Sequence, residues 1–186
     1  MKQIRKMFFS AMAILLVNAA SAQMEKTVMV GGAAMYPSKN IIENAVNSKD
    51  HTTLVAAVKA ADLVATLQGA GPFTVFAPTN AAFEMLPMGA VDNLLKPESK
   101  AALTGVLTYH VVAGKYSSAD LAKLIKKGNG TATLKTVAGG SLWVMMDGNK
   151  IAIKDEAGAV AHVTIKDVNQ SNGVIHVIDH VLMPKM

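Results

Sequence analysis

One segment constrains the fold of this chain more than any other: residues 71–83, GPFTVFAPTNAAF. Residues 73–76 are mostly apolar or β-branched and predict a short buried strand, which Pro78 ends. Thr79 predicts the N-cap of a helix that follows at once, because its hydroxyl can accept a hydrogen bond from a first-turn N–H. The segment carries no titratable group, so we expect it to have a structural role and no chemical one.

The first 22 residues have the pattern of a secretory signal peptide. Lys2, Arg5 and Lys6 give a positively charged start, residues 7–17 are apolar, and Ala20-Ser21-Ala22 is a small-residue cleavage site. We therefore expect cleavage after Ala22 and a protein that is secreted or periplasmic.

Composition narrows the function classes open to the rest of the chain. Without the three cations of the signal peptide, the 18 basic and 13 acidic side chains leave a net charge of +2. A nearly balanced chain does not predict a nucleic-acid partner. The absence of cysteine excludes disulfides and thiolate metal sites. No later apolar stretch reaches the roughly 18 residues of a membrane span, so we expect no stable membrane insertion of the mature chain.

Helical and strand patterns occupy different parts of the sequence. Helical spacing dominates up to residue 127, with Ser38, Asp50 and Ser117 as predicted helix caps. Alternating patterns then predict strands, with a tight turn at Asp147-Gly148. The predicted late strands are residues 131–137, 141–146, 149–153, 160–167 and 173–182.

This segregation predicts an α+β fold, in which helices pack on a mostly antiparallel sheet whose strands lie mostly in the C-terminal third. Residues 23–35 are small and weakly patterned, which predicts a flexible lead-in. Residues 36–186 then form a single domain of ordinary size.

Histidines are the candidate metal ligands and acid–base groups. His176 and His180 have the spacing of zinc ligands on a helix, but their β-branched neighbours predict a strand, where four residues span about 13 Å and cannot share one metal. The pair Tyr109-His110 allows two interpretations: a partner contact or proton switch, or a buried pair whose polar atoms bond to the backbone. We expect His51, in a helix's first turn, to be solvated.

Catalytic motifs with a known mechanism are absent: there is no G-x-S-x-G, P-loop, H-E-x-x-H or G-x-G-x-x-G. The sequence therefore predicts no enzyme, no catalytic residue and no cofactor. Nine methionines follow residue 22, and thioethers can bind Cu(I). Their scatter favours core packing. A small-molecule or copper carrier of the periplasm remains the alternative function, and an uncharacterised hydrolase the third.

Two separated blocks and a central pair resemble the fasciclin domain family. The first block is residues 71–83, the second is residues 171–184 (SNGVIHVIDHVLMP), and Tyr109-His110 lies where the family carries a tyrosine–histidine motif. Residues 35–42 (MYPSKNII) resemble the start of its secreted bacterial single-domain branch. The resemblance covers residues 36–185.

The resemblance implies a fasciclin-like β-sheet wedge with helices packed around it, used as an extracellular adhesion or interaction module. In this family the two blocks form neighbouring core strands. Their matching residues here therefore carry an implied scaffold role: Phe76, Thr79, Asn80, His176 and Asp179.

Integrin binding by animal members is attributed to the tyrosine–histidine motif and its branched apolar neighbours. The matching residues here are Tyr109, His110, Val111 and Val112, which the resemblance implies as a partner-binding segment. The leading hypothesis is an exported, non-catalytic adhesion or protein-interaction module, without a bound metal. Its partner is an unidentified extracellular or envelope macromolecule at the cell surface or in an extracellular matrix.

Overall fold

The computed structural model describes residues 26–185, so the predicted signal peptide lies outside the described residues. Within that range, no helix has the length and apolar character that a membrane crossing requires. The α-helices are α1 (Ile41–Ala45), α2 (Thr52–Ala60), α3 (Val64–Gln68), α4 (Asn80–Glu84), α5 (Ala90–Leu94), α6 (Lys100–Tyr109) and α7 (Ser118–Lys127). The strands are β1 (Val28–Val30), β2 (Ala33–Met35), β3 (Phe73–Pro78), β4 (Val111–Ala113), β5 (Thr131–Lys135), β6 (Ser141–Asp147), β7 (Lys150–Lys154), β8 (Val160–Gln170) and β9 (Gly173–Ile178).

Capping side chains set several helix boundaries. Thr79 caps α4 by accepting a hydrogen bond from the N–H of Ala82, as the sequence predicts. Ser117 caps α7 in a reciprocal capping box with Asp120. The predicted cap at Ser38 is wrong, because the N-cap of α1 is Asn40, which forms a capping box with Glu43.

The helix α2 also starts differently from the prediction. A single 3-10 turn, Lys49–His51, leads into it, so Asp50 lies inside that turn and is not a cap. A second 3-10 turn, Pro97–Ser99, leads into α6, with the proline at its first position, where a missing N–H costs nothing.

Seven of the strands form one sheet in the order β4-β3-β9-β8-β7-β6-β5. The pair β3–β9 is parallel, with Phe76 opposite His176, and the other pairs are antiparallel. The two ends of the sheet meet, since Val112 and Thr136 form an isolated bridge. This nearly closed sheet with helices packed on it confirms the predicted α+β class.

Side chains of β3 and β9 alternate between two cores on opposite faces of the sheet. Val75, Ala77 and Ile175 join the core beneath the helices, while Phe76 and Ile178 join the core inside the curled sheet. The sheet core is completed by α7 and by the inward faces of β5 to β8. Burial on both faces explains why β9 is apolar at every position except His176.

The flexible lead-in predicted for residues 23–35 is wrong for residues 28–35. There β1 and β2 form an antiparallel hairpin, and Val30 and Met35 lie buried in the helical core. Gly31 and Gly32 both have positive φ, 55° and 78°. Such angles suit the tight turns of two-residue hairpins, so the glycine pair is a turn between strands and not the end of a loose tail.

Candidate functional site

The predicted partner-binding segment runs from the end of α6 into β4. All four of its side chains are buried: Tyr109 is 0% exposed, His110 3%, Val111 5% and Val112 2%. In this structure none of these side chains is exposed for direct contact with a partner, and partner binding at this segment stays a prediction. The second interpretation of Tyr109-His110, a buried pair bonded to the backbone, describes their position.

Tyr109 joins the end of α6 to β6 and to the turn between β7 and β8. Its hydroxyl donates to the Ser141 carbonyl at 2.7 Å and accepts from the Glu156 N–H at 3.0 Å. Burial raises the pKa of Tyr109 to about 12, so the phenol stays protonated. A Cβ added at Gly140 would lie 2.6 Å from the Tyr109 ring, so the glycine is needed for this close approach.

His110 joins α6 to the C-terminal segment. Its Nδ1 lies 2.8 Å from the Val106 carbonyl, and its Nε2 accepts from the Leu182 N–H at 2.9 Å. These partners define a neutral ring protonated at Nδ1. Burial lowers the pKa of His110 to about 4, although the Val106 carbonyl and Asp155 act in the opposite direction. The side chain is a structural link between segments.

The surface above this segment is a turn, residues 136–140, here called the 136–140 turn. Val137 donates its N–H to the Val111 carbonyl at 2.8 Å, and Ala138 donates to the Thr108 carbonyl at 3.3 Å. Val137 is 49% exposed, and its neighbours Ala138 and Gly139 are exposed as well. The buried motif thus holds a small apolar surface in place.

The residues matched to the two signature blocks lie at the junction of β3 and β9. Phe76 and His176 are fully buried and their rings stack at 5.8 Å. His176 bonds through Nε2 to the Tyr116 carbonyl at 2.9 Å and through Nδ1 to the Asp167 N–H at 3.3 Å. Burial lowers its pKa.

Asn80 ties α4 to the start of α2. Its Oδ1 accepts from the Thr53 N–H at 3.0 Å, and its Nδ2 donates to the Lys49 carbonyl at 2.9 Å. Together with the Thr79 cap, these bonds hold the start of α4 against the start of α2.

Asp179 is the centre of a partly exposed group of aspartates and histidines. It accepts from the His162 N–H at 2.7 Å and lies 2.8 Å from Nδ1 of His180, while Nε2 of His162 lies 3.1 Å from Asp147. Burial would raise the pKa of Asp179, but the His162 N–H and the His180 ring outweigh it and lower the pKa. Across residues 26–185, no three His, Asp or Glu side chains converge as metal ligands.

Two sequence expectations about single side chains are wrong. His51, expected in solvent, is 3% exposed and lies among apolar residues. Methionines expected in the core are instead on the surface: Met85 is 61% exposed, and Met88 is fully exposed. Met29 and Met146 are exposed as well, whereas Met35 is buried.

Comparison with known proteins agrees with this architecture. The model of the Fasciclin domain matches residues 49–184. A solved FAS1 domain pair from the insect cell adhesion molecule fasciclin I superposes with a TM-score of 0.70 over 86% of this chain and 58% of that one, at 19% identity. That likeness concerns the fold.

Relatives by sequence come from bacteria and from animals. Protein sll1483 of Synechocystis is 44% identical over 87% of this chain and 83% of its own length. The immunogenic protein MPB70 of Mycobacterium bovis is 39% identical over 75% of this chain and 66% of its own. Human periostin is 33% identical, but the match covers 15% of its length. The chain belongs to the fasciclin domain family.

Proposed function

We propose that the protein is exported and acts as a non-catalytic interaction module, which binds an extracellular or envelope macromolecule at the cell surface or in a matrix. Family membership supports this proposal, and so does the likeness to domains of an insect cell adhesion molecule. The signal-peptide pattern of residues 1–22 supports export.

The observation that carries the proposal is the 136–140 turn above the buried tyrosine–histidine segment, in which residues 137–139 are exposed. Val137 and Ala138 offer apolar surface without a charge, which a partner can cover at little desolvation cost. Their N–H groups are bonded to the backbone of β4 and α6, so little conformational entropy is lost on binding. The buried motif then acts as the support of a binding surface.

Substitution of Val137 tests this surface. We expect the purified protein to bind saturably to intact cells or envelope preparations of the organism that makes it, and Val137→Asp to weaken that binding tenfold or more. Val160→Asp is the matched control, because Val160 is 38% exposed at the start of another strand, β8. An equal loss of binding in both variants would show that the 136–140 turn is not the binding surface. If the folded protein does not bind saturably at all, the proposed function itself is overturned.

The variant Tyr109→Phe tests whether Tyr109 supports the 136–140 turn or contacts the partner itself. The variant loses the two hydroxyl hydrogen bonds but keeps the buried ring, so a folded sample should bind as the unmodified protein does. Binding reduced as strongly as in Val137→Asp, with an unchanged fold by circular dichroism, would contradict the supporting role. Fractionation of producing cells tests export, with mature protein beginning at Gln23 as the expected product.

A further inference from the structure

The helical half of the domain contains a cavity of about 80 Å³ between α1, α2, α3 and the sheet. Protein interiors contain few voids larger than a water molecule, and a water needs roughly 10–15 Å³. Its walls are mainly aliphatic side chains from the helices and from β3, β8 and β9, among them Ile42, Leu54, Val58, Val75 and Ile175. A space of this size and lining favours an apolar occupant.

His51 places a buried polar side chain in the wall of this apolar space. It is one of the residues that line the cavity, and it is 3% exposed. Its Nδ1 lies 2.9 Å from Oγ of Ser48, which is also buried. Of all buried side-chain polar atoms in residues 26–185, Nε2 of His51 is the one without a hydrogen-bond partner.

Burial lowers the pKa of His51, so the ring is neutral at pH 7. The Ala77 carbonyl beside the ring acts to raise this pKa, but it does not meet hydrogen-bond geometry. A neutral imidazole has one donor and one acceptor, and Ser48 occupies one of them. Orphaned buried polar atoms are rare in native proteins and often mark the place of a missing partner.

A lone water is a poor candidate for that partner. Buried waters typically make two to four hydrogen bonds, and apolar cavities stay dry. Here the other buried imidazole in the wall, His110, already has both nitrogens bonded. A water in the cavity would therefore form one hydrogen bond, to His51, and would lack the further hydrogen bonds that a buried water needs.

We propose that this cavity binds a small, neutral, mostly apolar molecule that carries one hydroxyl group, with the hydroxyl bonded to Nε2 of His51. A hydroxyl group both donates and accepts hydrogen bonds. It can therefore bond to Nε2 of His51 whether or not that nitrogen carries the ring proton. Lys59 is exposed and also lines the cavity, which puts the way in beside α2. An ionic ligand would lose its hydration against aliphatic walls. The site concerns the helical core and is independent of the 136–140 turn.

Two probes with five heavy atoms each test the site: 1-butanol, which has the hydroxyl, and n-pentane, which lacks it. In NMR titrations of the purified protein we expect 1-butanol to shift the methyl signals of Ile42, Leu54 and Val58 saturably. In His51→Leu, 1-butanol should lose about fivefold in affinity, as expected for one lost hydrogen bond, while n-pentane should bind no more weakly.

Two further variants keep the test decisive. Ser48→Ala/His51→Leu removes both polar groups together, for use if the single variant is unstable because Ser48 loses its partner. Val58→Ile/Val75→Ile fills the cavity with methyl groups and should abolish binding of both probes. Methyl shifts that persist in the filled variant would overturn the proposal, as would equal losses for both probes in His51→Leu. The absence of saturable shifts in the folded parent protein would overturn it as well.

Discussion

His110 is kept neutral because both of its ring nitrogens bond to the backbone. A proton added at Nε2 would face the Leu182 N–H, which already donates to that atom. Complete burial adds the cost of a desolvated charge. The folded protein therefore resists protonation of His110 far below the pH at which an unfolded histidine accepts a proton.

We predict that the free energy of unfolding falls as the pH is lowered from about 6.5 to about 4. In this window the unfolded chain binds a proton at His110 and the folded chain, with a pKa of about 4, does not. The stability contributed by the neutral ring is complete above pH 6.5, and about 3 kcal/mol of it is lost by pH 4. Urea denaturation across this range measures the loss.

The buried rings of His51 and His176 add to this loss, because burial lowers the pKa of each. NMR titration of the histidine ring protons provides the control: the His110 signals should stay constant from pH 7.5 to pH 5. Titration of His110 near pH 6.5, or an unfolding free energy that does not change between pH 6.5 and 4, would contradict the prediction.

Sequence reasoning could place Tyr109 and His110 in one segment but could not decide whether they face a partner or the core. That choice depends on Ser141, Glu156 and Leu182, which are 32 to 72 residues away along the chain. His51 was misplaced for a similar reason. Gly31 of the β1–β2 hairpin packs against the turn at residues 48–50, and no local pattern around His51 reveals this contact.

At the scale of single elements, local signals identified α7 well. Ser117 followed by Asp120 predicts the reciprocal bonds that the structure contains: the Ser117 Oγ accepts from the Asp120 N–H, and Asp120 accepts from the Ser117 N–H, both at 3.2 Å. These bonds satisfy N–H groups that a helix start leaves unpaired.

We predict that Ser117→Ala lowers the free energy of unfolding by about 1 kcal/mol, the usual value of an N-cap side chain. Ser99→Ala is the matched control, since Ser99 occupies the N-cap of α6 without a side-chain cap bond, and it should change stability by less than about 0.5 kcal/mol. Chemical denaturation of both variants checks the difference. Similar losses in the two variants would show that the capping box contributes nothing specific.

The β1–β2 hairpin is the element that local reasoning missed. Gly31-Gly32 is compatible both with a loose tail and with a tight turn, and three-residue strands carry too little pattern to decide. What stabilises the hairpin is the burial of Val30 and Met35 in the helical core, which is tertiary. Late strands such as β5 and β6, by contrast, alternate between buried and more exposed residues over five positions and were predictable from their own sequence.

At the scale of the whole molecule, the layout rests on contacts between distant parts of the chain. The parallel pair β3–β9 joins Phe73 to Gly173, and sheet closure joins β4 to the residues after β5. Alternation in the sequence indicates strands but not which strands pair. The resemblance of residues 71–83 and 171–184 to family blocks supplied the β3–β9 pairing, which periodicity did not.

Asn172, in the turn between β8 and β9, ties three of these distant parts together. Its Nδ2 donates to the carbonyls of Leu67 and Gly69 at 2.8 and 2.9 Å, and its Oδ1 accepts from the Ile41 N–H at 3.1 Å. The side chain therefore holds the end of α3 and the start of α1 against the sheet. Asn172 is 7% exposed, so water does not readily replace it.

We predict that Asn172→Ala lowers the free energy of unfolding by roughly 2–4 kcal/mol, because it leaves several buried backbone groups without partners. Asn169→Ala, three residues earlier and exposed with one bond to the Asp167 carbonyl, should change it by less than about 0.5 kcal/mol. Urea denaturation gives both values. Since Asn172 joins the helical layer to the sheet, the loss should appear in one cooperative transition; separate melting of the two layers would contradict that role.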